Sequence, residues 1–438
     1  MESNGKKNQS LIILCLAVAS IITLGLYIPY FNLLALLIIA WGIIKFSNED
    51  ILCVLCFILS FSPIFKLQIG GFTFFNIILI LAVFFGLIRE RFRISRRQGI
   101  LILIFTLYEC VMSISTNMIE CITIIITFLL MALLYNPKQY KYNLRKINTF
   151  TIWGIIYTSV LALFDNVFPR IAQLTAKTMI RLAPGEYHYR FSGIMENPNY
   201  YTMLLSIVLS IICILIIRRK AKLSDYIYFV VLSIFGFMSI SQSFIYTFIV
   251  MIVLLTFFYA KSNPKNIIGI LVIILIMSYT IYRSLDASTI ETILFRSESL
   301  DIYDSDASKL TSGRTELWCY YLSYLGSNPE SLLFGCGIGA SNLPSGASHS
   351  YYIDMLYHLG IIGTIIYILL LFELFETAKF RKHRAKVYQY LPWAIFLIRA
   401  MARNLIVSEQ LVFMLFLCSV AVLDTDNEAS CNLICEKE

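Results

Sequence analysis

The chain has 438 residues, of which 58% are hydrophobic and only 14% are charged, and its mean hydropathy is +0.76. A water-soluble surface requires more charge than this, so the composition excludes an ordinary soluble globular protein. The formal net charge of +8 does not call for a nucleic-acid partner, because basic loops that face anionic membrane lipid account for it.

Apolar runs long enough to cross a hydrocarbon core of about 30 Å recur along the whole chain. They are continuous rather than alternating, which favours helices over a barrel, since backbone amides in lipid must be hydrogen-bonded internally. The sequence therefore predicts an all-α polytopic membrane protein with about fourteen transmembrane helices, within a range of 12–14. The predicted spans are residues 10–27, 30–45, 50–65, 72–88, 99–116, 118–135, 149–168, 199–217, 225–241, 243–260, 266–283, 350–372, 388–402 and 404–423.

Five regions follow from this order of spans. We expect seven N-terminal transmembrane helices in residues 1–168, a first external loop at 169–198, and helices eight to eleven in 199–283. A large external loop with short interfacial helices is predicted at 284–348, and the last three helices and a short cytoplasmic tail at 349–438. Loops longer than about 15 residues are commonly functional, so the two external loops are where we expect the chemistry.

The distribution of cations predicts the orientation. If the N-terminus is cytoplasmic, 24 of the 35 Lys and Arg residues fall in cytoplasmic segments. Because cytoplasmic loops of membrane proteins carry an excess of cations, we expect both termini inside and the two long loops outside.

Arginines in external loops run against this bias, as Arg181, Arg190, Arg296 and Arg314 do. Arg190 and Arg314 each precede a predicted helix start, where free backbone N–H groups add positive potential. A guanidinium binds phosphate oxygens in pairs and keeps its charge, so both residues suit a lipid diphosphate headgroup. The alternative is that Arg190 pairs with Glu196 and Arg314 with Glu316.

Histidine and acidic residues follow where the long loop re-enters the membrane. His349 can accept a proton at neutral pH, although a boundary histidine is also commonly a hydrogen-bonded interfacial residue. Asp354 and His358 fall inside the predicted span, where ionisable groups are costly and often functional. Arg399, Arg403 and Glu409 form a further charged cluster that either acts in the site or fixes helix packing.

Metal and disulfide signals are weak. Asp304-Ser305-Asp306 has the spacing of a metal-binding pair, but it lies in an acidic stretch outside the membrane, and a solvated turn is the simpler interpretation. Cys319 and Cys336 both lie outside, where a disulfide could persist, and free thiols are the default. We therefore predict no metal site and no cofactor.

Several motifs occur in a fixed order in the second half of the chain. They are Arg190 to Asn199, Ser312-Gly313-Arg314, Trp318, Asn328-Pro329, Gly335 to Gly339, His349, and Gly360 to Gly363. In this order the chain resembles the O-antigen polymerase and ligase superfamily of bacterial envelope glycosyltransferases, over about 175 residues. Two positions depart from many relatives: Ser350 stands in place of an asparagine, and Ser241-Gln242-Ser243 in place of a Ser-Arg turn.

The resemblance implies a membrane-embedded C-type glycosyltransferase that works without a metal. Arg190 and Arg314 would stabilise a leaving lipid diphosphate, and His349 would orient or deprotonate the acceptor hydroxyl. Residues expected to bind substrate are Arg181, Tyr187, Tyr189, Asn197, Asn199, Tyr351, Tyr352 and Arg403. The tyrosines could stack on sugar rings, although interfacial tyrosines are the norm in membrane proteins.

The same resemblance implies polymerisation of undecaprenyl-diphosphate-linked oligosaccharide units into a surface polysaccharide, with inversion at the anomeric carbon. The setting would be the bacterial inner membrane, with the active site on the external face and a chain-length regulator protein as a possible partner. Two alternatives stay open: ligation of finished glycan to another acceptor, and export or flipping of the lipid-linked oligosaccharide. A transporter would concentrate charge along a central path, often with related halves, and this chain has neither.

Overall fold

A computed structural model describes most of the chain. The described residues are 2–64, 74–88, 94–114, 116, 118–134, 142–175, 179–183, 186–195, 197–262, 265, 267–285, 287–298, 314–341, 343–344, 346–375, 386–402 and 409–423. Within these ranges the protein is predominantly helical.

The helices of the first half precede a short hairpin. They are α1 (Glu2–Gly25), α2 (Phe31–Lys45), α3 (Asn48–Ile58), α4 (Phe74–Ile88), α5 (Arg96–Met112), α6 (Met118–Leu134), α7 (Leu144–Leu163) and α8 (Pro169–Thr175), with a 3₁₀ turn at Leu59–Phe61 after α3. The one described departure from a helical architecture is an antiparallel hairpin of β1 (Met179–Ala183) and β2 (Glu186–Tyr189).

The second half returns to helices. They are α9 (Pro198–Ile217), α10 (Leu223–Met238), α11 (Gln242–Ser262), α12 (Ile267–Ser284), α13 (Ala287–Glu298), α14 (Arg314–Ser327), α15 (Pro329–Phe334), α16 (Tyr351–Phe375), α17 (Leu391–Ala400) and α18 (Glu409–Leu423), with a 3₁₀ turn at Val387–Tyr390 before α17. The predicted long loop at 284–348 thus contains α13, α14 and α15 between α12 and α16.

Length and composition support a membrane setting for the described helices. Three of them, α9, α11 and α16, are both long and apolar enough to cross a bilayer, and seven shorter helices are also apolar. Large side chains on the outer surface of the bundle are frequently hydrophobic, including Leu37, Val253 and Phe372, each more than half exposed. The protein therefore has the character of a polytopic membrane protein, while the count of about fourteen spans stays a prediction.

Helix α9 is the centre of the second half. Nearly all of its residues are buried, and it packs against α7, α10, α11, α17 and α18. A helix that is apolar on every side is stable only when it is enclosed by protein or lipid. At 1.5 Å per residue its 20 residues extend about 30 Å, the thickness of a hydrocarbon core. We call the end of the bundle where α9 begins the upper end and the other the lower end.

Ion pairs hold the lower end together. Arg145, at the start of α7, donates to the Lys220 carbonyl and lies 3.1 Å from an Asp225 carboxylate oxygen. Lys146 lies 2.5 Å from an oxygen of Asp50, in the first turn of α3. These partly buried pairs tie the starts of three helices to one another, so the lower end is charged and cross-linked.

Candidate functional site

Arg190 follows the hairpin directly and reaches the upper end of α9. Its Nε donates to the Ser239 carbonyl at 3.0 Å, and its Nη2 donates to Oδ1 of Asn199 at 3.3 Å. The same Asn199 oxygen accepts from the Ser241 hydroxyl at 2.7 Å. Arg190 is therefore held between the start of α9 and the turn that joins α10 to α11.

The local sequence explains why α9 begins at this point. Asn197 is its N-cap, and its Oδ1 accepts a hydrogen bond from the Asn199 backbone N–H at 3.0 Å. Pro198 occupies the first helical position, where the missing N–H costs nothing. The helix predicted to begin at residue 199 thus begins at Pro198, and Asn197 caps it.

Arg399 also bonds to Asn199. It lies near the end of α17 and is only 1% exposed. Its guanidinium donates to Oγ of Ser243 and Oγ1 of Thr202, both at 2.5 Å, and to the Asn199 carbonyl at 3.1 Å. The sequence indicated a charged cluster around Arg399 but gave no sign of these partners, which lie 156–200 residues away.

The turn between α10 and α11 is a junction for both arginines. The Ser239 carbonyl accepts from Arg190, the Ser243 hydroxyl accepts from Arg399, and the hydroxyls of Ser241 and Ser243 are 3.1 Å apart. This turn is where many relatives were expected to carry an arginine. Here its serines supply hydroxyl and carbonyl groups to guanidinium groups that come from other parts of the chain.

Arg314 is the first residue of α14. Burial lowers the pKa of its guanidinium, which still remains charged at neutral pH because the ordinary value is so high. Within the described ranges, no side chain forms a hydrogen bond or ion pair with it, and the neighbouring Glu316 is exposed. The pairing of Arg314 with Glu316 that the sequence left open is not found there.

Helix α14 is packed against the start of α16. Trp318, one turn after Arg314, donates its indole N–H to the Ser348 carbonyl at 3.0 Å. Tyr321 is buried and donates to the Gly346 carbonyl at 2.9 Å. These two contacts hold the first half of α14 next to the turn that carries His349. The interfacial setting predicted for the short helices of this loop stays a prediction.

His349 lies immediately before α16 and is exposed. Its backbone has a φ of +52°, in the left-handed region that residues other than glycine rarely occupy. On either side, Ser348 and Ser350 are buried and bond to each other, with the Ser350 N–H donating to the Ser348 hydroxyl at 3.3 Å. This tight turn presents the imidazole at the upper end of the bundle.

The two tyrosines after it have different environments. Tyr351 is buried, and its hydroxyl donates to that of Tyr367 at 2.9 Å, so its ring packs in the core and has no open face for a sugar. The expectation that Tyr351 stacks on substrate is corrected accordingly. Tyr352 is half-buried and donates to the Leu397 carbonyl at 2.9 Å, which connects the His349 turn to α17, the helix that carries Arg399.

The remaining predicted residues divide into two groups. Arg181 and Tyr187 pair across the hairpin by their backbone register, and the half-buried Tyr189 ends its second strand next to Arg190. Arg403 and the Asp304-Ser305-Asp306 segment lie outside the described residues. Cys319 and Cys336 are both free thiols. No cluster of His, Cys, Asp and Glu suited to a metal occurs in the part of the chain that the structure describes.

Helix α16, which follows the His349 turn, is broken near its middle. At Gly360 the backbone of α16 has a φ of +62°, so the helix consists of two pieces. Carbonyls exposed by the break accept hydrogen bonds from the glycine-rich turn: Cys336 N–H donates to Tyr357 at 2.8 Å, and Gly337 N–H to His358 at 2.9 Å. Such repair of broken backbone pairing is what a membrane interior requires.

Ionisable residues are buried beside this break, and the sequence analysis identified two of them, Asp354 and His358. The His358 Nδ1 lies 2.9 Å from the Gly337 carbonyl, so it carries a proton, and Nε2 lies 3.5 Å from Asp354. Glu109, from α5, is fully buried close to them and accepts from the Ser113 hydroxyl at 3.5 Å. A lone Glu within an apolar run was the available signal for this third group.

Comparison with known proteins identifies one family. Residues 227–368 match the family model described as O-Antigen ligase. The matched segment begins in α10, includes Arg314 and His349, and ends within α16, whereas Arg190 and Arg399 lie outside it. Neither the curated proteins nor the solved structures yield a match.

Proposed function

From the O-antigen ligase domain at residues 227–368, which places the chain in the O-antigen ligase and polymerase superfamily, we propose a specific activity for it. The protein polymerises undecaprenyl-diphosphate-linked oligosaccharide units into a surface polysaccharide, such as O-antigen, capsule or exopolysaccharide. Members of this family are glycosyl-transferring membrane enzymes. The donor, the direction of transfer and the membrane face are the specific parts of the proposal.

The observation that carries the proposal is the hydrogen bond from Trp318 to the Ser348 carbonyl. It fixes the helix that begins with Arg314 against the turn that carries His349. A permanent cation and a titratable base are thereby held at the same end of the bundle. Displacement of a diphosphate by an alcohol needs a cation that stabilises the leaving group and a base that accepts the proton of the alcohol.

Arg190 is connected to the same end through α17. Tyr352 bonds to the backbone of α17, Arg399 from α17 bonds to Asn199, and Asn199 accepts from Arg190. The guanidinium groups of Arg190 and Arg399 thus belong to one hydrogen-bonded network with the His349 turn. We assign Arg190 and Arg314 to the donor diphosphate, with Tyr189 and Tyr352 as further candidates for substrate contact.

The reaction is a single displacement at the anomeric carbon of the donor glycan. His349 accepts the proton of an acceptor hydroxyl while the acceptor oxygen forms a bond to that carbon. The bond from the anomeric carbon to the lipid diphosphate breaks, and its electron pair leaves with the diphosphate. Fixed guanidinium charge stabilises the departing oxygens, and a single displacement inverts the configuration at the carbon.

We place this chemistry on the external face of the bacterial inner membrane. The lower end of the bundle carries Arg145, Lys146 and the basic segment after α9, as cytoplasmic ends commonly do. The upper end, about 30 Å away along α9, carries the candidate site. In this orientation both termini are cytoplasmic, as the distribution of cations predicts.

Purified protein in lipid nanodiscs tests the activity. The substrate is a synthetic undecaprenyl-diphosphate oligosaccharide with a fluorescent label, supplied without nucleotide sugar and with a chelator of divalent metals. We expect a ladder of longer lipid-linked glycans and release of undecaprenyl diphosphate. A requirement for nucleotide sugar would contradict the proposed donor, and a requirement for divalent metal would contradict the proposed catalysis.

Ligation is the second candidate, because the matched family model is itself described as O-Antigen ligase. A ligase uses the same leaving group but attaches a finished glycan once to a different acceptor. The product's length distribution and its point of attachment distinguish the two reactions in the same assay. A chain-length regulator would alter only the distribution, so its addition tests that proposed partner.

A further inference from the structure

Arg399 is a buried cation that the proposed reaction does not use directly. It is only 1% exposed, and all three hydrogen bonds described above run to the upper ends of α9 and α11. A charged side chain enclosed in a membrane protein is costly unless it is hydrogen-bonded, and its presence commonly marks a functional requirement. The arrangement of its partners indicates what that requirement is.

Asn199 is shared between Arg399 and Arg190. Its carbonyl oxygen accepts from Arg399 at 3.1 Å, and its side-chain oxygen accepts from Arg190 at 3.3 Å. The turn between α10 and α11 provides a second connection between Arg399 and Asn199. Ser243 accepts from Arg399, and its hydroxyl lies 3.1 Å from that of Ser241, which donates to Asn199. Arg399 therefore bonds directly to Asn199, which accepts from Arg190, and through Ser243 to the turn whose Ser239 carbonyl also accepts from Arg190.

Bidentate binding of a phosphate depends on the direction of a guanidinium as well as on its charge. Arg190 follows a hairpin and is only half-buried, so its direction depends on the acceptors around it. A displacement of about 1 Å in a catalytic group can cost about 100-fold in rate. A contact that fixes the position of Asn199 therefore helps to fix the direction of the Arg190 guanidinium, and with it the rate of the reaction.

We propose that Arg399 is a positioning residue for Arg190, acting through Asn199 and the 239–243 turn to direct the Arg190 guanidinium at the donor diphosphate. By bonding to α9 and α11 together, it fixes the distance between the Asn199 amide and the Ser239 carbonyl. Both groups accept from Arg190. The proposal rests on the proposed function, since it takes the anion held by Arg190 to be a lipid diphosphate.

A purely structural role for Arg399 makes a different prediction. If Arg399 only holds α17 against α9, its replacement lowers stability and the amount of active protein, and does so independently of Arg190. A positioning role couples the two arginines. The effect of replacing Arg399 then disappears once the guanidinium of Arg190 is gone.

A double-mutant cycle in nanodiscs distinguishes these roles. Arg399→Met, Arg190→Lys and the double variant are compared by kcat and KM for the labelled lipid-diphosphate donor. We expect each single change to raise the donor KM about 10-fold and the double change to raise it about 10-fold as well. A double variant impaired about 100-fold, the product of independent losses, overturns the proposal.

Ile395→Ala is the matched control. Ile395 is fully buried one turn before Arg399 on the same helix, so its truncation weakens the packing of α17 without touching Asn199. We expect a lower unfolding temperature and an unchanged donor KM. A KM increase as large as that of Arg399→Met would assign the effect to helix packing and overturn the proposal.

Two milder changes keep the test valid if Arg399→Met fails to fold. Thr202→Val and Ser243→Ala each remove one acceptor of Arg399 and leave its charge in place. Each enters the same cycle with Arg190→Lys, with the same expected absence of additivity. If the wild-type protein transfers no glycan, the proposed function fails, and the cycle is read from binding of undecaprenyl diphosphate instead, where additive losses overturn the positioning role.

Discussion

The indole nitrogen of Trp318 lies 3.0 Å from the carbonyl oxygen of Ser348. These residues are 30 positions apart, and their contact joins the helix that begins with Arg314 to the turn that presents His349. The bond is partly buried, so its loss leaves a polar group without a partner in a place that water reaches poorly. Its contribution to the site is open to direct measurement.

Trp318→Phe removes this hydrogen bond and keeps an aromatic ring. We expect a loss of about 1 kcal/mol in unfolding free energy, the usual value of one hydrogen bond. Transfer activity should fall further than stability, by about 10-fold, because Arg314 and His349 lose their fixed separation. Trp393→Phe is the control, since Trp393 packs in the core without a described hydrogen bond. Equal activity in the two variants would remove the Trp318 bond from the site.

Arg314→Lys tests the assignment of Arg314 to the diphosphate. Lysine keeps a positive charge but provides a point cation in place of a planar fork, so bidentate contact with phosphate is lost. We expect a fall of about 100-fold in kcat/KM, comparable to the loss of one oxyanion-stabilising group, with normal expression and folding. The measurement is single-turnover transfer from the labelled lipid-diphosphate donor.

Arg283→Lys provides the comparison for that experiment. Arg283 lies in the last turn of α12 and is exposed. The same substitution is therefore made at an arginine that we do not assign to the candidate site. We expect transfer at the wild-type rate. If Arg314→Lys also proceeds at the wild-type rate, Arg314 does not bind the diphosphate.

The sequence predicts those features of the protein that depend on neighbouring residues. The helix start at Asn197-Pro198 follows from the Asn197 side chain, which caps the backbone N–H two positions later, and from the proline at the first helical position. The broken helix at Gly360 was less accessible. The sequence predicts one unbroken span at 350–372, and the carbonyls left by the break at Gly360 find donors in the distant turn at Cys336 and Gly337.

Contacts across long sequence separations could not be predicted. Arg399 bonds to Asn199 at a separation of 200 residues, and no local sequence pattern indicates this contact. Tyr351 and Tyr352 look alike in the sequence, yet one packs in the core and the other faces α17. The difference arises because successive residues of an α-helix point about 100° apart, and tertiary contacts decide which of the two directions meets the core.

Gly335→Ala tests the fit of the glycine-rich turn in the break of α16. Gly335 has a φ of +77°, and an added Cβ would lie 2.3 Å from the His358 carbonyl oxygen. We expect a loss of about 1–3 kcal/mol in unfolding free energy from backbone strain alone, and a correspondingly lower unfolding temperature. Activity should fall with it, because this turn bonds to the end of the piece of α16 that begins after His349.

Gly326→Ala is the control for Gly335→Ala, with the same substitution at a glycine that has open space around it. Gly326 lies within α14, and a Cβ added there meets nothing within 4 Å. Alanine stabilises a helix interior by up to about 1 kcal/mol relative to glycine, so we expect a small rise in unfolding temperature. Similar effects at the two positions would mean that the turn does not occupy the break as described.

His349 combines a chemical role with an unfavourable backbone conformation, and two substitutions separate them. Both His349→Ala and His349→Gly remove the imidazole, and we expect each to lower transfer by about 10²- to 10⁴-fold, the usual contribution of a general base. Only glycine adopts the observed φ of +52° without strain. The His349→Gly protein should therefore exceed the His349→Ala protein in unfolding free energy by about 1 kcal/mol. Equal stabilities would show that the turn relaxes when the side chain is removed, and wild-type transfer by either variant would show that His349 is not the base.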